Sequence, residues 1–493
     1  MPEKHLKQKA ASGMVWTAFQ KYSQMGIQFI SGIILARLLT AYDYGCIGML
    51  SIFMLLAETF IDAGFGSALI QKKHPTQDDY STIFWWNLGM AAVLYAILYI
   101  IAPFVARFYD IPLLCDVLRV QGLVLFIYAF NLVQRNQLRK QLNFKVLSIV
   151  TIITSIVALS VTIVMAYKGF GVWALVAQNI LIAAIPAIVF WFFIKWRPIL
   201  RFSKQSFKEL FGFGFYMFLT QLVNTFCSQI QSLLIGKLYS PATLGYFSKA
   251  SSTEKVASNS ISQVMSQVTY PLYASIQDDR KRMIGMIKRF TTTISFMTFP
   301  VMFLLMLTAK PLFVLLYSDR WLQSVPYFQV LCLVGLATCL MAVNTQTIAA
   351  IGKSRTMFIW TLIKRSIGLI FMVGGLFLFG MKGFMVGVVI YNWFCYFVNI
   401  GLVSKYIGYD WKTQLLDLLP VVLVSGLAAL ISWMLGNWLR LGLYSDGAIK
   451  IVIYVVIYLG WALLFRPEPF NYLIASIPKR FRFWDHFRKE SRA

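Results

Sequence analysis

The sequence predicts an all-α polytopic membrane protein of fourteen transmembrane helices: two six-helix lobes related by a parallel repeat, plus two C-terminal helices. Three observations carry this. Of 493 residues, 59% are apolar and 13% charged, with a mean hydropathy of +0.69, whereas soluble chains carry about 25% charge. The first six apolar segments recur about 200 residues later. The basic residues concentrate on alternate sides of the apolar runs, as the positive-inside rule requires.

The recurrence is specific. Leu35-Ala36-Arg37-Leu38-Leu39-Thr40 with Gly45 answers to Ile235-Gly236-Lys237-Leu238-Tyr239-Ser240 with Gly245, and Gln77-Asp78-Asp79 returns as Gln277-Asp278-Asp279. Pro103 with Tyr109 matches Pro311 with Tyr317, and Lys168-Gly169-Phe170 matches Lys382-Gly383-Phe384. Six crossings return a chain to its starting side, so both copies insert in the same orientation about an axis along the membrane normal.

Runs long enough to span a bilayer lie at approximately 14–35, 45–69, 81–102, 117–134, 146–167 and 171–194 in the first lobe (10–200). The second lobe (205–405) holds 211–236, 243–270, 291–309, 326–350, 356–380 and 384–404. Spans 415–438 and 448–465, within 411–466, have no counterpart in the repeat, and 467–493 is a basic cytoplasmic tail. The linker from Lys195 to Lys208 reads as an amphipathic connection on the membrane surface, with Phe202 and Phe207 toward lipid. With the amino terminus inside, inward segments hold about 30 of the 45 Lys and Arg and outward loops about 8. Both termini are then cytoplasmic. The first run holds Lys21 and lacks a small-x-small cleavage site, so it reads as an anchor and not a signal peptide. The net charge of +26 therefore reflects topology and attraction to anionic membrane lipids, not a nucleic-acid footprint.

Catalysis and metal chemistry find little support. The loops are mostly below about 12 residues, and there is no Asp-x-Asp motif of the kind a metal-dependent glycosyltransferase needs. Six Cys fall mostly inside spans without a CxxC pair, and the three His lie in separate segments, so no zinc site or other cofactor is expected.

Four spans are far more polar than the rest, and they are repeat partners. The first carries Thr17, Lys21, Gln24, Gln28 and Ser31 on one helical face; the seventh carries Gln221, Asn224, Ser228 and Gln231. Ser51, Glu58 and Asp62 share a face of the second span, answered in the eighth by Ser251, Ser258 and Ser262 with Lys249, Glu254 and Lys255 nearby. A charge facing lipid at mid-bilayer costs about 2.5–3.5 kcal/mol, so these stripes are expected to turn inward and line a wet cavity between the lobes. The alternative is that they glue helices together by hydrogen bonds.

Within that expectation, Lys255 lies about 18 Å from the outer end of its helix and is the leading candidate to contact an anionic substrate. Lys249 is second. Lys21 and Asp62 lie at similar depth and could pair. Glu58 could accept a coupling proton or ion, as could Asp62, or Glu58 could itself pair with Lys21. Arg119 begins the fourth span, while Lys364 and Arg365 either bind ligand or snorkel to the surface. The excess is cationic, which with the amides and hydroxyls suits a substrate bearing phosphate and sugar.

The run Leu38-Leu39-Thr40 … Asp43-Tyr44-Gly45 … Asp62-Ala63-Gly64-Phe65-Gly66-Ser67-Ala68-Leu69-Ile70-Gln71 resembles Wzx-type polysaccharide exporters. So do Ser81-Thr82-Ile83-Phe84-Trp85, Gly169-Phe170-Gly171-Val172-Trp173 and Leu233-Leu234-Ile235-Gly236-Lys237 … Leu244-Gly245-Tyr246. The resemblance covers roughly 10–400 and is to the colanic-acid and teichuronic-acid exporter branch of the MOP superfamily, whose fold is MATE-like. It implies a flippase in a bacterial plasma membrane. Its substrates would be undecaprenyl-diphosphate-linked oligosaccharide units, moved to the outer leaflet by alternating access for surface polysaccharide biosynthesis. A glycan polymerase and glycosyltransferases are the expected protein partners, and a proton or sodium gradient the expected drive. A MATE-like ion-coupled exporter of small molecules is the alternative.

Overall fold

The computed structural model describes residues 3–439 and 442–476. In order, its helices are α1 (Glu3–Leu38), α2 (Ala41–Asp62), α3 (Phe65–Gln71), α4 (Gln77–Tyr109), α5 (Leu113–Gly122), α6 (Val124–Lys140), α7 (Phe144–Tyr167) and α8 (Val172–Phe193). There follow α9 (Lys204–Leu238), α10 (Pro241–Ser275), α11 (Arg280–Leu307), α12 (Ala309–Tyr317), a 3-10 turn (Asp319–Ser324) and α13 (Val325–Ala350). The chain continues with α14 (Ser354–Ile407), α15 (Trp411–Leu439), α16 (Leu443–Phe465) and α17 (Glu468–Ser476). No strand occurs among the described residues. Of the expected tail, residues 477–493 lie outside them.

Among the described residues, ten helical segments are long and apolar enough to cross a membrane, and α9 makes an eleventh if its two parts count as one span. The expected fourteen is compatible with this set. The α1 and α10 helices have 36 and 35 residues, ample for a 30 Å core, but their polar stripes lower their hydropathy. In α14, Phe379 and Gly380 leave the helical region, Gly380 with φ +65° and ψ −148°. A side chain on Gly375 would meet the backbone of Gly383, and one on Gly387 that of Phe371. The two halves therefore double back on each other, and spans 356–380 and 384–404 are the arms of a helical hairpin.

Local capping explains why one repeated motif recurs. Thr76 and Asp79 form a reciprocal capping box at the start of α4, and Asp279 accepts the Arg282 N–H at 3.0 Å at the start of α11. The second Asp of each Gln-Asp-Asp thus satisfies orphan amides of a helix N-terminus. Thr40 and Asp43 do the same for α2.

The chain packs as two compact units, Met1–Ser248 and Lys249–Ala493. In the first, α7 packs on α1 and α8, α6 on α8 and α4, and α9 on α2. In the second, α13 packs on α14 and α11, and α15 on α11 and α16. The linker after α8 holds no helix before α9 begins at Lys204. It runs irregularly, strapped to α4: Trp85 Nε1 donates to Ile199 O at 2.8 Å, and the Ser203 N–H to Thr82 Oγ1 at 3.0 Å. Phe207 packs on Phe65, Trp86 and Phe211 and is half-buried, while Phe202 is exposed.

Candidate functional site

The polar stripes of α2 and α9 meet inside the first unit. Ser51 Oγ donates to Gln229 Oε1 at 2.8 Å, and the Thr59 and Thr225 hydroxyls lie 3.3 Å apart. Gln221 Nε2 donates to Thr225 Oγ1 at 3.3 Å and Ser228 Oγ to the Thr225 carbonyl at 2.9 Å. The side chains of Gln221 and Ser228 remain exposed and Asn224 half-buried. Part of these stripes is therefore interhelical glue, at about 0.6 kcal/mol a bond. Thr59, Thr225 and Gln229 were not among the sequence candidates. The four-residue spacing of Gln221, Thr225 and Gln229 is the signal that marks the two on α9.

Beside this seam the first unit encloses a cavity of about 450 Å³, lined among others by Gln24, Ser51, Glu58, Gln121, Tyr128 and Asn131. It has room for on the order of ten waters. Glu58 has no hydrogen bond or ion pair among the described residues, and Gln121 Oε1 and Asn131 Oδ1 are buried without a protein partner. Three unpaired oxygen-bearing groups thus border one space, which suits a proton or a small cation. Arg135 lines the same cavity but makes no ion pair with Glu58.

Asp62 is used differently. Its Oδ1 accepts the Gly66 N–H at 3.1 Å, where Ala63 and Gly64 turn the chain through left-handed conformations with φ +42° and +76°. The carboxylate caps α3. No Lys21–Asp62 or Lys21–Glu58 ion pair occurs among the described residues; Lys21 and Gln28 are exposed on α1, and Gln24 half-buried. Arg119 lies on α5 with its guanidinium 4.2 Å from the Tyr99 ring centre and its Nε buried without a partner.

In the second unit adjacent residues of α10 part company. Glu254 is buried, its Oε1 unpaired and close to Gly335 of α13, whereas Lys255 is exposed. Lys249 is only 5% exposed, its ammonium 4.2 Å from the Tyr317 ring centre and 5.6 Å from that of Trp321. The two aromatic faces cover it, so it is less accessible than the sequence suggests. Lys364 does not stand free: its Nζ donates to Asn399 Oδ1 at 2.9 Å across the α14 hairpin, and Asn399 Nδ2 donates to Thr345 Oγ1 at 3.3 Å. Among the described residues no group of three His, Cys, Asp or Glu could hold a metal.

Long apolar helices carrying buried polar groups mark a polytopic membrane protein. Solved structures share the fold. The lipid II flippase MurJ in an inward closed conformation superposes with a TM-score of 0.72 at 15% identity, over 92% of this chain and 99% of that one. A multidrug-resistance MATE transporter of the MOP superfamily, inward-facing, gives 0.62 at 18% identity over 78% and 94%. The sequence narrows the class: residues 34–326 match the model of a family described as polysaccharide biosynthesis protein, and the chain belongs to that family. It is 24% identical over 351 residues to the teichuronic acid biosynthesis protein TuaB of Bacillus subtilis (strain 168), covering 71% of this chain and 73% of TuaB. It is 21% identical over 333 residues to the lipopolysaccharide biosynthesis protein WzxC of Escherichia coli (strain K12), covering 67% and 68%. With the succinoglycan biosynthesis transport protein ExoT of Rhizobium meliloti (strain 1021) it shares 22% over 405 residues, 82% and 80% of the two chains.

Proposed function

We propose that this protein is a flippase that carries undecaprenyl-diphosphate-linked oligosaccharide units from the inner to the outer leaflet of a bacterial plasma membrane, by alternating access. Both termini are then cytoplasmic, and a glycan polymerase and glycosyltransferases act on either side of the step. The observation that carries the reading is the family match over 34–326, whose relatives are named for surface-polysaccharide biosynthesis and transport. The chemistry of the polar groups agrees with it. In the second unit Lys255 offers an exposed ammonium to a diphosphate. In the first, Lys21 offers another, and Gln24, Gln28, Gln221, Asn224 and Ser228 offer hydrogen bonds to sugar hydroxyls. Arg119, Lys249 and Lys364, each engaged within the protein, contribute positive potential without being free to follow a ligand.

Deleting the gene tests the proposal. The expected result is accumulation of a lipid-linked oligosaccharide in the inner leaflet with loss of one surface glycan. Unchanged surface glycan, with heightened sensitivity to lipophilic cations, would transfer the protein to the small-molecule exporters.

The drive is assigned to Glu58, because its carboxylate is unpaired at the edge of a roomy cavity while that of Asp62 is committed to a cap. Glu58→Gln is expected to keep downhill exchange of the lipid between leaflets but lose acceleration by an imposed proton or sodium gradient. Asp62→Asn is expected to retain that acceleration. Vesicles reconstituted with each variant check this, and gradient-stimulated transport in Glu58→Gln would remove the residue from coupling.

A further inference from the structure

The α15–α16 pair, absent from the repeat, shapes a second cavity of about 820 Å³ with α11–α13 in the second unit. The charge distribution of the sequence places it toward the outer leaflet. Its polar groups are Lys310, Gln329, Asn437, Asp446 and Lys450. Lys450 is only 7% exposed; its Nζ donates to Asp446 Oδ2 at 2.7 Å and to Asn437 Oδ1 at 3.1 Å. The other carboxylate oxygen, Asp446 Oδ1, is buried without a hydrogen-bond partner. Lys310 is exposed at the start of α12 and makes no ion pair or hydrogen bond among the described residues.

Two lysines against one aspartate leave one net positive charge, and the orphan oxygen asks for a donor. The remaining wall is apolar, with Phe303, Leu430 and Trp433 lining it; Leu430 and Trp433 are exposed on the outer surface of α15. We infer that this cavity binds the headgroup of a bilayer phospholipid that is a singly charged phosphodiester carrying a free hydroxyl, with its chains along α15. The phosphate meets Lys310 and the spare Lys450 N–H, and the hydroxyl donates to Asp446 Oδ1. The doubly charged diphosphate of a carried glycan lipid exceeds the one positive charge available. An ethanolamine headgroup would set its ammonium beside Lys450.

Native mass spectrometry of the full chain with phosphatidylglycerol, phosphatidylethanolamine and phosphatidylmethanol tests the assignment. Phosphatidylglycerol is expected to be retained best, and Lys310→Gln to cut its preference over phosphatidylethanolamine about fivefold, the effect of one lysine near a membrane surface. Lys310 is exposed, so that variant preserves the packed core. Equal retention of phosphatidylethanolamine, or an unchanged preference in Lys310→Gln, overturns the inference. Phosphatidylmethanol held as firmly as phosphatidylglycerol overturns the role of Asp446. Lipid retention is read without any transport assay, so it stands or falls separately from the carried substrate.

Discussion

Replacing Lys255 with alanine is expected to reduce transfer of the lipid-linked glycan by roughly tenfold to a hundredfold. Hydrogen bonds to charged groups are worth about 1.5–3 kcal/mol, and Lys255 is exposed on α10 while its neighbour Glu254 is buried. The two side chains leave the helix about 100° apart, so the buried carboxylate leaves the lysine open to a phosphate. Lys255→Arg should recover most of the activity, because a guanidinium also binds phosphate. Protein in the membrane should stay at its normal level, since removing an exposed charge uncovers no core. Quantifying surface glycan against membrane protein checks both points. Normal glycan in Lys255→Ala would take this residue out of substrate recognition.

A second large effect is expected at two glycines. A side chain on Gly45 would collide with the Pro241 carbonyl, and one on Gly245 with the Ala41 carbonyl. The first turns of α2 and α10 therefore cross backbone to backbone, at positions exactly one repeat offset of 200 apart in the chain. Ordinary overpacking costs about 1–3 kcal/mol, and here the obstacle is main chain, which cannot rotate away. Gly245→Leu and Gly45→Leu should each insert into the membrane yet transport at background, because neither permits this crossing to form. Gly89, on α4, has no atom within 4 Å of an added Cβ, so Gly89→Leu serves as the control and should transport normally. Full activity in Gly245→Leu would show that the crossing has no part in the cycle.

Local chemistry was readable in advance wherever it repeats. The Asp79 and Asp279 motifs became helix caps, since a capping carboxylate needs only amides within three residues. The break after residue 380 was visible as a gap between two apolar runs, and Gly380 supplies the backbone region that only glycine readily enters. Glu58 was singled out as an unusual charge in an apolar helix, which any membrane span makes conspicuous.

What one chain of letters determined was thus the helical, membrane-spanning character, the duplicated order of elements and the identity of the polar faces. All three follow from hydropathy and from interactions a few residues long. Only the tertiary structure decided which polar groups are spent on partners. Ser51 finds Gln229 at a separation of 178 residues, Thr59 finds Thr225 at 166, and Lys364 finds Asn399 at 35. Lys249 is covered by the rings of Tyr317 and Trp321. Periodicity tells which face of a helix is polar, but the partner on the facing helix is set by packing, and packing is a property of the folded chain alone.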